Sequence, residues 1–395
     1  MTEESMTPKF RFHVVSLPHT QTTSDYIACA YTQKVVKFCT MMKSLGHEVF
    51  LYASEDNEAP CDELITIVTK AEQQQWFGSY DFTKEFFNVD WKPEKDYWTK
   101  PNKRAINEIQ DRSEPTDFVC LIGGVCQKQI ADGLPAMMSV EFGIGYSGVF
   151  SKFRVYESYA WMHYVHGLLA DDNGHFFDAV IPNYFDPKDF TLKETKEDYY
   201  LFIGRLIERK GPAIAAEVTR RIGSKLLMAG QGVDYKHGDK IVAKELTIIG
   251  DHIEHVGHAD PALRNKLMGG AKAVFVCSTY LEPFGGTSIE PLFCGTPVIT
   301  TDWGAFPENI IHGEVGYRTR TLGEAIWAAK NLDKLQPPAN LRQYAIDNFG
   351  LERVAEMYQA YFEQLHELWD EGWYTESSTG VADYQRYTRY PITKK

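Results

Sequence analysis

Short β-rich runs alternate with helical stretches along most of the chain, and this alternation restricts the fold more than any other feature of the sequence. A β-rich run at 12–17 precedes a helical stretch at 31–45, which Gly46 ends, and another β-rich run follows at 48–52. A strand–helix–strand order of this kind places two parallel strands in one sheet with a right-handed crossover. The first half of the chain is therefore expected to form a parallel sheet covered by helices.

The second half repeats the pattern, so we predict two α/β domains. The first domain is expected at 1–188 and the second at 189–352. Further strands are predicted at 117–123, 136–141, 199–203, 225–229, 246–250, 273–277 and 297–300, and a helix is predicted at 212–222. The last segment, 353–395, keeps several aromatic residues in its tail and is expected to pack back on the body of the protein.

An aromatic insertion at about 72–104 separates the early strands from the later ones. Its aromatic residues form either a small satellite core or a wall on which an acceptor stacks. Those within 76–98 are Trp76, Phe77, Tyr80, Phe82, Phe86, Phe87, Trp91, Tyr97 and Trp98.

Composition excludes several other classes of protein. The 395 residues are 44% hydrophobic, which is enough to fill ordinary cores, and the sequence has no apolar run of the roughly 18 residues that a spanning helix needs. The start lacks a secretory pattern and the seven cysteines include no Cys-x-x-Cys pair, so we expect a cytoplasmic protein without disulfides. Residues 1–190 hold 27 acidic and 17 basic side chains, so they carry −10 of the net charge of −13, which disfavours nucleic acid as a partner without excluding it.

The strongest motif is the sequence EPFGGTSIE at 282–290. Its glycines predict a turn that opens a helix at Gly286, with Glu282 before the helix and Glu290 about one turn inside it. Free N–H groups at a helix start attract phosphate, and carboxylates on either side of them suit hydroxyl groups of a ribose or a sugar.

A second motif, Gly204-Arg205 followed by Lys210-Gly211, comes directly after the strand predicted at 199–203. Open α/β sheets bind ligands at the carboxyl ends of their strands, and two fixed cations at that edge predict a diphosphate site. Taken singly, each charged residue of the two motifs could also be an ordinary surface residue or a side chain in the first turn of a helix, without a role in binding. Their occurrence in one half, each after a strand, favours a joint site.

Together these residues closely resemble the retaining glycosyltransferases of family 4 ("group 1"), which have the GT-B fold. Further residues shared with that family are Ile181-Pro182-Asn183, the segment from Gly304 to Glu308, and Cys294-Gly-Thr-Pro297. The resemblance covers 181–350 well and the first 50 residues loosely. The opening LPHTQTT at 17–23 is similar to that of phage-encoded members.

The resemblance implies two Rossmann-like domains facing a central cleft, with a C-terminal helix that crosses back to the first domain. The second domain would bind a nucleotide-sugar co-substrate, most simply a UDP- or GDP-sugar, and no other cofactor is implied. Arg205 and Lys210 would contact the diphosphate and Glu290 the ribose. The sugar and its phosphate would be held by Glu282, Gly204, Phe284, Gly285, Gly286 and Thr287.

The first domain would bind the acceptor, and here the sequence departs from the family. A polar loop with His19 and Thr22 stands where the family has a Gly-Gly pair, and it serves either the donor phosphate or the acceptor. Glu141 stands near the place of a usual histidine, with Tyr146 after it. Glu141 either reads a sugar hydroxyl or binds backbone N–H groups at the end of its strand.

The sequence thus predicts a retaining hexosyl- or pentosyltransferase. Because no two aspartates are two residues apart, we expect transfer without a metal ion. A nucleotide-sugar epimerase or hydrolase, and a non-catalytic sugar-binding module, are the alternatives. The acceptor stays open between a glycan, a protein or lipid headgroup, and a hydroxymethylated base in viral DNA. No stable membrane insertion is expected.

Overall fold

The computed structural model describes residues 8–370 except 24–25, 27–28, 80–88 and 245. The chain forms two parallel α/β domains followed by a long C-terminal helix. None of the helices in this part of the chain is long and apolar enough to cross a membrane.

The first domain is a seven-stranded, all-parallel sheet in the order β3-β2-β1-β4-β5-β6-β7. Its strands are rich in apolar residues on both faces because helices cover both sides, so Phe12 and Val14 enter one core and Val15 another. The strands are β1 (Arg11–Val15), β2 (Glu48–Ser54), β3 (Glu63–Val68), β4 (Phe118–Leu121), β5 (Met138–Ile144), β6 (Phe153–Tyr156) and β7 (Asp178–Val180).

Among the described residues, five α-helices accompany this sheet. The first ends before Gly46, whose φ of 77° gives the left-handed conformation that glycine adopts without strain. The helices are α1 (Ala30–Ser44), α2 (Lys70–Phe77), α3 (Asp96–Arg112), α4 (Lys128–Gly133) and α5 (Tyr159–Leu168).

The second domain contains a six-stranded parallel sheet in the order β13-β9-β8-β14-β15-β16. The chain reverses its winding between β8 and β14, and such switch points open a crevice at the carboxyl ends of the strands. The strands are β8 (Tyr200–Ile203), β9 (Leu226–Ala229), β13 (Ile253–Gly257), β14 (Val274–Val276), β15 (Val298–Thr301) and β16 (Gly316–Thr319). The helices are α6 (Pro212–Ile222), α7 (Pro261–Gly270), α8 (Glu290–Phe293), α9 (Phe306–Asn309), α10 (Leu322–Lys330) and α11 (Pro338–Phe349).

One strand predicted for the main sheet lies elsewhere. The run at 246–250 forms β12 (Leu246–Ile249) of a separate antiparallel sheet with β10 (Val233–His237) and β11 (Lys240–Ala243). A turn at Gly238 (φ 58°) lets the chain fold back as a hairpin. β13 occupies the predicted position in the parallel sheet. It was not predicted from the sequence because its polar residues Glu254 and His255 interrupt the apolar run.

The last helix, α12 (Leu351–Asp370), crosses from the second domain to the core of the first. Phe362 lies fully buried, with its ring centroid 4.6 Å from that of Phe12 and 5.0 Å from that of Phe118. The aromatic tail beyond this helix lies outside the described residues, and its packing stays a prediction.

Candidate functional site

The 282–290 loop follows β14 at the switch point of the second sheet. Gly285 has a φ of 75°, and a Cβ there would lie 2.6 Å from a ring carbon of Phe306. Gly304 has a φ of 61°, and its Cβ would lie 2.7 Å from the amide nitrogen of Glu282. Both glycines therefore let neighbouring segments approach this loop more closely than any other residue allows.

The helix predicted to open at Gly286 is shorter than expected. A 3₁₀ turn over Gly286–Ser288 leads into the single turn of α8, so Glu290 is the first residue of α8 rather than one turn inside a longer helix. Gly295, at φ 72°, ends the turn. Within the described part of the chain, the backbone N–H groups of 284–287 have no acceptor, so four donors line this stretch.

Lys210 and Glu282 are brought into direct contact. Lys210 ends a 3₁₀ turn after β8, and its Nζ donates to Oε1 of Glu282 at 2.5 Å. The Glu282 side chain is 9% exposed and that of Lys210 is 25% exposed. The two predicted motifs therefore meet at one place, with a cation and an anion that a ligand can separate.

Arg205 lies close enough to Tyr280 for its charge to act on the phenol. Burial raises the pKa of Tyr280, and the charges of Arg209 and Arg205 oppose that rise. The Arg209 guanidinium lies 4.7 Å from the centre of the Tyr280 ring and Nζ of Lys210 lies 5.5 Å from it. Two cations therefore lie beside the Tyr280 ring, and Arg205 acts on it electrostatically. The sequence analysis missed Tyr280 and Arg209, although both sit within or beside the motifs it used.

Glu290 pairs directly with an arginine of the second domain, and a lysine of the first domain acts on it at longer range. Its Oε2 accepts from Arg264 of α7 at 2.5 Å, and a Cβ at Gly286 would lie 3.7 Å from its Oε1. Lys37 of α1 faces it from the first domain. Burial lowers the pKa of Lys37 to about 8, and the charge of Glu290 opposes that fall. The carboxylate thus lies beside the 284–287 amides, held by partners that sequence spacing did not reveal.

A buried ion pair in the first domain adjoins the 282–290 loop. Nζ of Lys34 lies 2.8 Å from Oε2 of Glu157 and donates to the carbonyl of Gly143, also at 2.8 Å. Lys34 and Glu157 are buried, and a Cβ at Gly145 would lie 3.1 Å from Oε2 of Glu157 and 3.2 Å from Cβ of Pro283. The pair therefore lies where the two domains meet. No signal in the sequence pointed to it, because Lys34 sits in an ordinary amphipathic helix.

Glu141 has a structural role, which favours the second of the two alternatives predicted for it, the binding of backbone N–H groups, over contact with a sugar. It lies within β5 and is fully buried. It accepts hydrogen bonds from the Phe150 and Ser151 amides and from the Tyr146 hydroxyl. Burial raises the pKa of Glu141 to about 7 against the effect of these hydrogen bonds. Because its own loop occupies both oxygens, the backbone-binding alternative holds and Tyr146 serves the same network.

His19 and Thr22 lie in a loop, as the sequence predicted, but their side chains are buried. Burial lowers the pKa of His19 to about 3, and its ring meets Trp91 and Trp98 edge-on. The Thr22 hydroxyl bonds to that of Ser16 at 2.8 Å. Trp98 is buried in the main core of the first domain, whereas Trp91 is 42% exposed, so the satellite core and the acceptor wall both stay predictions. Four further aromatic residues of the insertion lie outside the described residues, namely Tyr80, Phe82, Phe86 and Phe87.

The domains also touch through α5. Glu308 accepts from the amides of Tyr159 and Ala160 at 2.8 and 2.7 Å, so a carboxylate of the second domain binds the N-terminus of a helix of the first. In the described ranges, no three His, Cys, Asp or Glu side chains gather as a group able to hold a metal ion.

Two parallel α/β domains that meet over a loop rich in amide donors, with lysine and arginine side chains beside it, define a two-domain ligand-binding protein of the GT-B type. Residues 186–348 match the family model described as "Glycosyl transferases group 1". This part of the chain is thus a domain of the glycosyl transferases group 1 family, as its motifs predicted.

Curated relatives match mainly one half of the chain. Spore coat protein SA of Bacillus subtilis (strain 168) is 28% identical over 182 residues, covering 42% of this chain and 48% of that protein. D-inositol 3-phosphate glycosyltransferase of Segniliparus rotundus is 29% identical over 156 residues, covering 38% and 34%. The chain therefore spans about half, or less, of the length of these relatives.

Solved structures share the fold over almost the whole chain. Sucrose-phosphate synthase from Thermosynechococcus elongatus superposes with a TM-score of 0.65 at 15% identity, covering 91% of this chain and 100% of that one. AviGT4, a glycosyltransferase involved in avilamycin A biosynthesis, gives 0.59 at 20% identity, covering 91% and 98%. Anabaena HepE in complex with UDP and glucose gives 0.56 at 14% identity, covering 91% and 100%.

Proposed function

We propose that this protein is a glycosyltransferase that moves a sugar from a nucleotide-sugar to a hydroxyl group of an acceptor. The observation that carries the proposal is the contact between Lys210 and Glu282 beside four unbonded amides, with Glu290 at the far end of the same loop. A diphosphate needs donors and cations, and a ribose needs a carboxylate. The family of the 186–348 domain supports the same assignment.

In this proposal the roles follow from charge. Arg205 and Lys210 bind the diphosphate, the amides of 284–287 bind its β-phosphate, Glu290 accepts from the ribose hydroxyls, and Glu282 accepts from the sugar. On ligand binding, Lys210 exchanges its contact with Glu282 for the phosphate. Glu282 is then released to accept from a sugar hydroxyl.

The rate enhancement arises at the leaving group. When the glycosidic bond breaks, its electron pair stays on the departing phosphate oxygen, where Arg205 and Lys210 stand. Each cation contributes up to about 4 kcal/mol at 4 Å and an effective dielectric constant near 20, before desolvation is subtracted. We propose that these cations stabilise the leaving group and that the sugar is transferred with retention at the anomeric carbon.

The test is a panel of nucleotide-sugars assayed for donor hydrolysis and for transfer. UDP-sugars come first, because HepE was solved with UDP and glucose, and GDP-sugars follow. We expect Arg205→Ala to reduce turnover by roughly 10²–10³-fold with an unchanged melting temperature. The matched control is Arg221→Ala, because Arg221 pairs with Glu217 on the exposed face of α6.

Three outcomes separate the alternatives. Turnover that no acceptor accelerates would indicate an epimerase or hydrolase. Donor binding without turnover, unchanged in Arg205→Ala, would indicate a sugar-binding module. Proton NMR of the first-formed product gives its anomeric configuration, and an inverted product would reject retention.

A further inference from the structure

A cavity lies in the second domain, at the outer edge of the six-stranded sheet. Its volume is about 360 Å³, within the size range of small-molecule sites. We call it the edge cavity; its main lining residues are Asp302, His312, Arg318, Arg320 and Trp327. None of them belongs to the 282–290 loop or to the 204–211 loop.

Polar side chains with matched charges form one wall of the edge cavity. Asp302 lies 3.3 Å from Arg318 and 2.7 Å from Arg320, so the carboxylate holds both guanidinium groups in place. Nε of Arg318 is buried and has no acceptor within the described residues. His312 accepts from the Arg318 amide through Nδ1, which leaves its Nε2 as a hydrogen-bond donor.

An aromatic side chain forms another part of the lining. Trp327 of α10 is 49% exposed, although neighbours on its helix such as Ala328 are buried in the core. The ring centroids of Tyr317 and Trp327 lie 5.3 Å apart in a T-shaped arrangement, and Nζ of Lys334 lies 4.9 Å from the centre of the Trp327 ring. An indole held in this way offers a fixed apolar surface beside hydrogen-bonding groups.

We propose that the edge cavity binds a neutral sugar unit of an oligosaccharide. The C–H face of a pyranose packs on an indole, and its hydroxyl groups both donate and accept, which suits a wall of arginine, histidine and aspartate. Nucleic acid fits less well, because the carboxylates of Asp302 and Glu324 both line the cavity and together balance the charges of the two arginines.

The position of the edge cavity connects it to the candidate transfer site. Only Trp303, which is 52% exposed, separates Asp302 from Gly304, which packs on the amide of Glu282. The next residue, Ala305, donates its N–H to the carbonyl of Glu282 at 3.1 Å. This step alone rests on the proposed transferase activity. If that activity holds, an oligosaccharide bound in the edge cavity is part of a glycan acceptor or product.

The experiment is saturation-transfer NMR and calorimetry on the full chain, with neutral hexasaccharides of gluco, manno and galacto configuration as probes and a 20-base-pair duplex as the competing ligand. We expect at least one hexasaccharide to bind, and Trp327→Ala to weaken that binding about tenfold, as the loss of an aromatic contact requires. Arg320→Ala, at a side chain that is 76% exposed, should weaken it without loss of folding. Tyr235→Ala is the matched control, because Tyr235 is an aromatic residue about as exposed as Trp327 and lies far from it in the sequence.

Absence of hexasaccharide binding, binding unchanged in both Trp327→Ala and Arg320→Ala, or binding of the duplex alone would each overturn the proposal. Donor hydrolysis is measured on the same samples and depends on Arg205 rather than Trp327. A failure at the edge cavity is therefore distinguishable from a failure of the transferase proposal.

Discussion

His19 shows how strongly a single polar residue depends on its surroundings in this protein. Its ring lies among Phe77, Trp91 and Trp98, and it is 6% exposed. Burial among these rings lowers its pKa to about 3, so the folded protein keeps the imidazole neutral at pH values where the unfolded chain protonates it.

The first prediction concerns acid stability. Between pH 6.5 and about 3, only the unfolded chain binds the proton at His19, so the free energy of unfolding should fall as the pH decreases, by at most about 1.4 kcal/mol per pH unit. His19→Phe removes this group and suits the aromatic surroundings, so its unfolding energy should depend less on pH in that window. Urea titrations at pH 7, 6, 5 and 4 check it. His47, with a pKa that burial lowers to about 4, remains in both proteins, and equal slopes would contradict the prediction.

At the residue scale, the sequence motifs indicated which residues could carry chemistry, but they did not indicate which of those residues are in contact. Lys210 and Glu282 were both selected, but spacing gave no reason for them to touch each other. Glu141 was selected because it stands where the resembled family usually has a histidine, although its backbone partners come from a loop nine and ten residues later. Lys34 and Glu157 escaped notice because burial, which distinguishes them, is a property of tertiary packing.

At the scale of elements, the contact between Glu308 and α5 joins the two domains. The carboxylate accepts two N–H groups of the first turn of α5, where the helix dipole favours a negative charge. The contact links a short helix of the second domain with one of the first. Loss of Glu308 should therefore affect the relation of the domains more than the stability of either.

The second prediction follows from this contact. Glu308→Ala should weaken this contact between the domains by about 1 kcal/mol, the usual contribution of a carboxylate at a helix N-terminus. We expect a larger radius of gyration in small-angle X-ray scattering and a turnover lowered several-fold, with nearly unchanged melting. Glu314→Ala, at an exposed carboxylate of the same domain, is the control. An unchanged radius of gyration in Glu308→Ala would contradict the prediction.

Element patterns were predictable where strands are buried on both faces. The runs near β8, β9, β14 and β15 are apolar throughout, and each was placed in the main sheet. β10 escaped because four of its five residues are exposed. β12 was assigned to the wrong sheet because an apolar run does not show which strand it pairs with, and here it pairs with the adjacent β11.

At the scale of the whole molecule, α12 ties the end of the described chain to its beginning. Phe362 lies between Phe12, Phe118 and Phe38, with ring centroids 4.6, 5.0 and 6.2 Å away. The core of the first domain is therefore completed by a helix that follows the second domain. The first domain consequently depends on a segment more than 150 residues further along the chain than its last strand.

The third prediction tests this dependence. Phe362→Ala should reduce the free energy of unfolding of the first domain by about 3–5 kcal/mol, because it leaves a cavity among large aromatic residues. The core of the second domain does not include Phe362, so calorimetry should show one transition shifted down and a second near its original temperature. Glu356→Ala, on the exposed side of α12, should leave both transitions in place. A uniform shift of both transitions would show that the domains unfold as one unit, and no shift would show that α12 is dispensable for the first core.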